Sequence, residues 1–203
     1  MKRLLMAGFL LQLELPATDP VVTLRLRVYD LAATTESALT ETSRILADAG
    51  IAVEWEDGSP DSTEARRLDA SVPITASQRF VPINGALNAR ILPHPPSVHK
   101  TQTLGFSLPF AKQGVHVTLY WTSIEELART NKLSPSLLLG AVMAHEIGHV
   151  LLGSGLHSLS GIMRERWGTS EYHSISLGQL QFTPEEAARM RASIRKSQLP
   201  YRK

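Results

Sequence analysis

Five consecutive residues carry the strongest chemical signal in the sequence: His145, Glu146, Ile147, Gly148 and His149 match the pattern H-E-x-x-H. On a helix, residues four positions apart lie on one face about one turn apart, so both imidazoles can reach a single metal ion. The glutamate lies one step round the helix and can contact a water on that metal instead. Zinc lowers the pKa of such a water to about 7, and the carboxylate takes its proton during attack on a carbonyl. The pattern therefore predicts a zinc site suited to peptide hydrolysis.

The motif lies inside an apolar run at residues 137–152, interrupted only by Gly140 and by the motif itself. Ser134 and Pro135 precede the run, and proline suits the first position of a helix because no amide partner is lost there. A helix that is apolar on all sides is expected to be buried centrally. Unpaired His and Glu side chains are costly to bury, and a bound metal would account for their presence there.

The third ligand is predicted from the turn that ends this helix. The segment Gly153-Ser154-Gly155 allows a sharp reversal, and His157 follows on the returning chain. A catalytic zinc has three protein ligands and keeps its fourth position for water, so we expect His157 to complete the set. Glu165 and Glu171 are the alternative third ligands. Because the sequence contains no cysteine, thiolate ligands and disulfides are excluded.

These residues resemble the metzincin clan of zinc peptidases, whose longer signature is H-E-x-x-H-x-x-G-x-x-H followed by a methionine turn. The segment that ends at Met163 is similar to that turn, although Gly153 lies one residue late and His157 two residues late. Met163 stands 18 residues after His145, which is also the spacing in the matrix metalloproteinase branch. In that branch a serine likewise follows the third histidine, as Ser158 does here.

The resemblance implies an α+β fold with a five-stranded mixed sheet, helices on one face, a central active-site helix and a small C-terminal subdomain. It also implies endoproteolysis of a peptide or protein substrate, with Glu146 as general base and then proton carrier. In the family the fourth strand is the rim that pairs with an extended substrate, and chain order assigns that role to residues 103–108. Met163 would pack beneath the metal rather than bind it.

In the metzincins a strand, a helix and four more strands precede the active-site helix, and hydrophobic periodicity gives the same order of elements here. Residues 22–29 alternate between apolar and polar, which is typical of a strand with one buried face. A helix follows from about Thr34, and Gly50 can end it. Two S/T-x-x-E patterns, at Ser123 and Thr183, predict capping boxes that start helices. The other predicted strands are residues 51–56, 87–92, 103–108 and 115–121, and a short helix is predicted around residues 64–68.

Length and composition predict one well-cored domain. The chain has 203 residues, of which 43% are hydrophobic and 20% charged, which is ordinary for a globular protein. We expect a single unit over residues 18–203, with an upper subdomain over 18–153 and a lower one over 154–203, acting as a monomer. The formal net charge of +2 is too small to indicate nucleic acid as a partner.

The N-terminus has the outline of a secretory signal. Met1-Lys2-Arg3 precedes residues 4–11, which carry no charge, and the stretch ends near Leu15-Pro16-Ala17. Residues 1–17 are therefore predicted to be a leader, which places the protein outside the cell or in the periplasm; the alternative is a buried first strand or helix. An apolar run this short cannot span a bilayer, so no stable membrane insertion is expected.

Two other functions remain open from the sequence. A secreted binding protein could keep the zinc and the metzincin scaffold without cleaving peptides, although the intact Glu146 speaks against it. A zinc peptidase of another type could take Glu165 or Glu171 as its last ligand in place of His157.

Overall fold

The computed structural model describes residues 21–30, 36–58, 86–96, 103–111 and 114–198. The predicted leader and the short helix predicted around residues 64–68 lie outside these ranges. The described residues form five strands and five helices, which confirms the α+β class. In chain order the elements are β1 Val22–Asp30, α1 Glu36–Asp48, β2 Ile51–Asp57, β3 Leu87–Leu92, β4 Gly105–Ser107, β5 Val117–Tyr120, α2 Trp121–Asn131, α3 Pro135–Leu152, α4 Thr169–Ser176 and α5 Pro184–Gln198.

The five strands form one mixed sheet in the order β2-β1-β3-β5-β4. Strands β1, β2, β3 and β5 are parallel, whereas β4 runs antiparallel to β5, with Phe106 opposite Thr118. The mixed five-stranded sheet is thus confirmed. Because β4 lies at the end of this order, one of its sides faces no other strand of the described sheet.

The core lies between the sheet and helices α1 and α3. On β1, Leu24 and Leu26 are buried, whereas Arg25 between them is exposed, as the alternating pattern predicts. Helix α3 is buried from Leu138 to Leu151 and lies at the centre of the molecule, which confirms the prediction for an all-apolar helix. Its length and apolar composition would suffice to cross a membrane, but a buried core helix meets the same criteria.

Both ends of α3 follow the sequence. Pro135 occupies the first turn, where a missing amide has no consequence. Gly153 ends the helix with φ +59°, a left-handed conformation that glycine adopts without strain, and its amide donates to the carbonyls of the last turn. The turn after Gly153 therefore starts at a fixed point directly behind the H-E-x-x-H motif.

The two predicted capping boxes have opposite outcomes. At the start of α5, the Thr183 amide donates to Glu186 Oε2 (2.9 Å) and the Glu186 amide donates to Thr183 Oγ1 (3.3 Å), as predicted. The box at Ser123 is wrong, because α2 begins two residues earlier, directly after β5. There the Thr122 amide donates to the Pro93 carbonyl (3.1 Å), so tertiary contact replaces a side-chain cap.

Helix α4 has no counterpart in the prediction. It has eight residues, too few to show an amphipathic pattern, and it starts where the Gly168 amide donates to Glu171 Oε2 (2.8 Å). A cap of this kind, with glycine at the N-cap position, carries no S/T-x-x-E signal.

Candidate metal centre

Helix α3 places His145 and His149 on one face, one turn apart. Both side chains are buried, and their rings meet edge to face with centroids 4.7 Å apart. The two Nε2 atoms lie 3.1 Å from each other. The i, i+4 spacing therefore brings the two imidazoles to a common point, as predicted from the motif.

Backbone carbonyls fix how both rings present their nitrogens. His145 Nδ1 lies 2.7 Å from the Ile162 carbonyl oxygen, and His149 Nδ1 lies 2.8 Å from that of Ser154. A carbonyl oxygen only accepts, so in each ring Nδ1 carries the proton that is donated. Each neutral imidazole is then left with a lone pair on Nε2, the arrangement that holds histidines at metal sites.

The two lone pairs face each other at a distance that suits a shared cation. Nitrogens around a tetrahedral zinc, at about 2.0–2.1 Å from the ion, lie about 3.3 Å from one another. Burial lowers the pKa of both imidazoles, that of His145 to about 4, so both rings are neutral near pH 7. Two neutral acceptors cannot hydrogen-bond to each other, and a metal ion is the partner that satisfies both.

His157 joins this pair from the loop after α3. Its ring centroid lies 5.4 Å from that of His145 and 4.8 Å from that of His149. One nitrogen from each of the three rings falls within 4.8 Å of the others, so the three residues can hold a metal ion together. The structure thus brings His157 to the place where the third ligand was expected. Unlike the helical pair, His157 is exposed.

Glu146 lies beside the histidines and faces the rim strand β4. Gly105 is close enough that a Cβ there would lie 3.6 Å from Glu146 Cγ. Burial raises the pKa of the Glu146 carboxyl to about 7, and a hydrogen bond from Ser107 opposes that rise. A carboxyl that titrates near neutrality beside three imidazoles can accept and return a proton at physiological pH.

No protein-family model matches the chain, and no curated protein matches its sequence. Among solved structures, the chain is similar to a zinc-dependent peptidase from Methanocorpusculum labreanum (strain Z). The fold is alike. The two chains superpose with a TM-score of 0.52 over 82% of this chain and 99% of the other, at 15% sequence identity.

The two alternative ligands, Glu165 and Glu171, do not converge with the three histidines. Glu171 is bound by the Gly168 amide and by Arg164, whose Nη1 lies 2.7 Å from Glu171 Oε1. The Gly168 amide first, and then Arg164, hold the pKa of this carboxyl at about 2. Glu165 lines the cleft but is exposed. Among the described residues, neither belongs to a group of side chains that converge as metal ligands do.

Met163 is buried beneath α3, with 1% of its surface exposed. A Cβ added to Gly148 would meet Met163 Sδ at 2.6 Å, so the thioether packs directly against the glycine of the H-E-x-x-H motif. The thioether sulfur is a packing group beneath the helix, as predicted for Met163. The small residue at position 148 is thus required by this contact.

A cleft of about 930 Å³ opens in front of the histidines. One wall is the segment from Thr103 to Gly105 that leads into β4, and another is α2, which contributes Glu126, Leu127 and Thr130. The sequence predicted this helix but gave it no role, because nothing in its residues indicates what it faces. Its position shows that α2 limits the space available to a ligand in the cleft.

Trp167 is a site residue that no motif or spacing in the sequence identified. Its Nε1 donates to the Ile162 carbonyl (3.1 Å), the same oxygen that accepts from His145. Its ring also meets the His145 ring edge to face, with centroids 5.7 Å apart. Only the proximity of Trp167 to the methionine turn could have suggested this role.

Alternation along the predicted strand 115–121 would put His116 on its wet face, and this prediction is wrong. The side chain is buried, with 5% exposed, and its Nδ1 accepts from the Asn88 amide (3.1 Å). Burial lowers the pKa of the imidazole. His116 therefore braces the start of β5 against β3 and does not belong to the metal cluster.

Proposed function

We propose that the chain is a zinc-dependent endopeptidase of the metzincin type, with zinc held by His145, His149 and His157. The observation that carries the proposal is the pair of Nε2 lone pairs, 3.1 Å apart, with a third imidazole beside them. Zinc bound there would supply a water of lowered pKa and polarise a substrate carbonyl. The similar fold of a solved zinc-dependent peptidase supports the same class of reaction.

Glu146 is the proposed general base. Its carboxylate takes a proton from the attacking water and then delivers it to the amine that leaves. Burial among apolar residues of α3 suits this exchange, since it keeps the proton affinity of the carboxylate high. The hydroxyl of Ser107 donates to this carboxylate and partly offsets the effect of burial on its pKa.

Strand β4 is the proposed site for substrate backbone. An extended peptide can add to the exposed side of an edge strand, which gives main-chain hydrogen bonds that do not depend on the ends of the peptide. Binding through the middle of a chain favours endopeptidase activity over the removal of terminal residues. Gly105 on this strand lies next to Glu146, so the bound peptide would pass in front of the metal.

The metzincin type is supported by two features of the fold. Met163 packs under the H-E-x-x-H helix in the place of the turn methionine. The strand and helix order up to β5, with the fourth strand at the sheet edge, is the order that the resemblance implies. The added helix α2 is a departure from that plan.

The test is cleavage of unfolded casein by the purified full chain. We expect cleavage that a zinc chelator abolishes and added zinc restores. Glu146→Gln is expected to bind one zinc per chain but to cleave at least about a hundredfold more slowly, the contribution of a general base. Glu125→Gln is the matched control, because it makes the same chemical change at an exposed residue of α2. This variant should cleave casein normally.

Three outcomes would contradict parts of the proposal. A wild-type chain that binds no zinc removes the metal site. Glu146→Gln with normal cleavage removes the general base. Zinc binding by the wild type without cleavage of casein would instead favour a binding protein on the same scaffold.

A further inference from the structure

The third ligand depends on a loop, and the loop has its own anchor. Gly155, Leu156 and His157 are all exposed, and Leu156 has 81% of its surface in solvent. Ordering the backbone costs conformational entropy, so an exposed imidazole stays near a metal only if the neighbouring chain holds it. The residue that can do so directly follows His157.

Ser158 is fixed at both its backbone and its side chain. Its amide donates to the Met163 carbonyl (2.8 Å), which closes the turn against the methionine. Its Oγ donates to Oε1 of Glu186, on the C-terminal helix α5. Ser158 thus connects the His157 loop to a helix that contributes no residue to the cleft.

Glu186 has a second role beyond the cap of α5. Its Oε2 already accepts from the Thr183 amide, which completes the capping box. An ordinary capping box needs only that oxygen and leaves the other to water. Here the residue is buried, with 5% exposed, and Oε1 is directed to Ser158. A buried carboxylate oxygen requires a donor, and Ser158 supplies it.

We propose that Glu186 is a positioning residue for the metal, acting through Ser158 to hold His157 in place. The inference rests on the proposed zinc site. Helix α5 would then contribute to metal affinity although it lies outside both the H-E-x-x-H motif and the methionine turn. Partners that orient metal ligands typically change affinity by about 10- to 100-fold, and Ser158 acts one residue from the ligand.

The experiment measures zinc affinity of the full chain by competition with a chelator. Ser158→Ala removes the link but leaves the capping box of Thr183 and Glu186 intact, and we expect about tenfold weaker binding. Ser158→Thr keeps the hydroxyl and should restore affinity. Ser160→Ala is the matched control, because Ser160 is an exposed serine of the same loop.

A double-mutant cycle separates positioning from general stability. In a His157→Ala background, Ser158→Ala should change zinc affinity by no more than about twofold, because the residue it positions is absent. An equal loss in both backgrounds would overturn the inference, and so would normal affinity in the Ser158→Ala single variant. Either result leaves the zinc site itself standing. A wild-type chain without zinc affinity would instead overturn the site and the inference together.

Discussion

The candidate metal centre joins two regions that hold their histidines in different ways. His145 and His149 are buried on helix α3, and a backbone carbonyl anchors each ring. The Ser154 carbonyl, just after the end of the helix, holds His149, and the Ile162 carbonyl, next to Met163, holds His145. His157 is exposed on a loop, and the contacts that hold its neighbourhood pass through Ser158. One half of the site is therefore part of the core, and the other half is attached to it.

This difference separates what local geometry determines from what tertiary contact determines. The helical pair needs only the helix, because a spacing of four residues sets the distance between the rings. We expect His157 to depend on a glycine turn, a buried methionine and helix α5, whose Glu186 lies 28 residues beyond Ser158. We expect substitutions in the two regions to differ in size and in kind.

The largest expected effects are losses of zinc affinity in two variants, His149→Ala from the helix and His157→Ala from the loop. His149→Ala should abolish stoichiometric zinc, because one of the two facing nitrogens is lost. His157→Ala should weaken zinc binding by more than roughly 100-fold, the upper value for residues that only orient a ligand. The loss should be smaller than in His149→Ala, because water can take the place of the exposed His157 imidazole. Zinc content and chelator competition measure both.

Glu165→Gln and Glu171→Gln are the controls for the identity of the third ligand. Both should keep one zinc per chain, since Glu171 is occupied by Arg164 and the Gly168 amide. Normal zinc affinity in His157→Ala together with lost zinc in either glutamate variant would show that the third ligand had been assigned to the wrong residue.

A second prediction compares glycines in the two regions. Gly148→Ala would place a Cβ 2.6 Å from Met163 Sδ and 2.8 Å from Phe182 Cε1. We expect the free energy of unfolding to fall by about 1–3 kcal/mol, as in overpacked cores, although alanine is the better helix former by about 1 kcal/mol. Urea denaturation of the zinc-free protein measures this change.

Gly155→Ala is the matched control from the loop. Nothing lies within 4 Å of a Cβ at this position, so stability should stay within about 0.5 kcal/mol of the wild type. If the helix variant were as stable as the loop variant, the proposed close packing of Met163 beneath the motif would be wrong.

Much of the fold could be predicted, because local patterns and tertiary structure agree along most of the chain. The strand β3 was predicted with its observed bounds, and α3 begins at Pro135 and ends before Gly153 as the sequence indicates. The predictions failed where tertiary contact supplied what a local signal normally supplies. The cap at Ser123 was unnecessary because the Pro93 carbonyl accepts from the first turn of α2.

The three histidines that the sequence selected do converge, but their surroundings were not predicted. The rule that a catalytic zinc has three protein ligands was enough to propose His157 as the third, although its spacing departs from the metzincin signature. No rule of spacing could reveal that Glu186 reaches Ser158, or that α2 forms a wall of the cleft. The burial of His116 was missed because the polar face of β5 is covered, which alternation alone does not indicate.

The smallest predicted effect concerns Trp167, which touches the helical half of the site from the loop side. Trp167→Phe keeps an aromatic ring but removes one donor to the Ile162 carbonyl. The hydrogen bond from His145 to the same oxygen stays in place. We expect zinc affinity to fall about twofold, the roughly 0.5 kcal/mol at the low end for a hydrogen bond. Trp55→Phe removes a comparable hydrogen bond, from Trp55 on β2 to Ser43 on α1, and should leave zinc affinity unchanged. Equal affinities in the two variants would mean that the carbonyl is held by the backbone of the methionine turn alone.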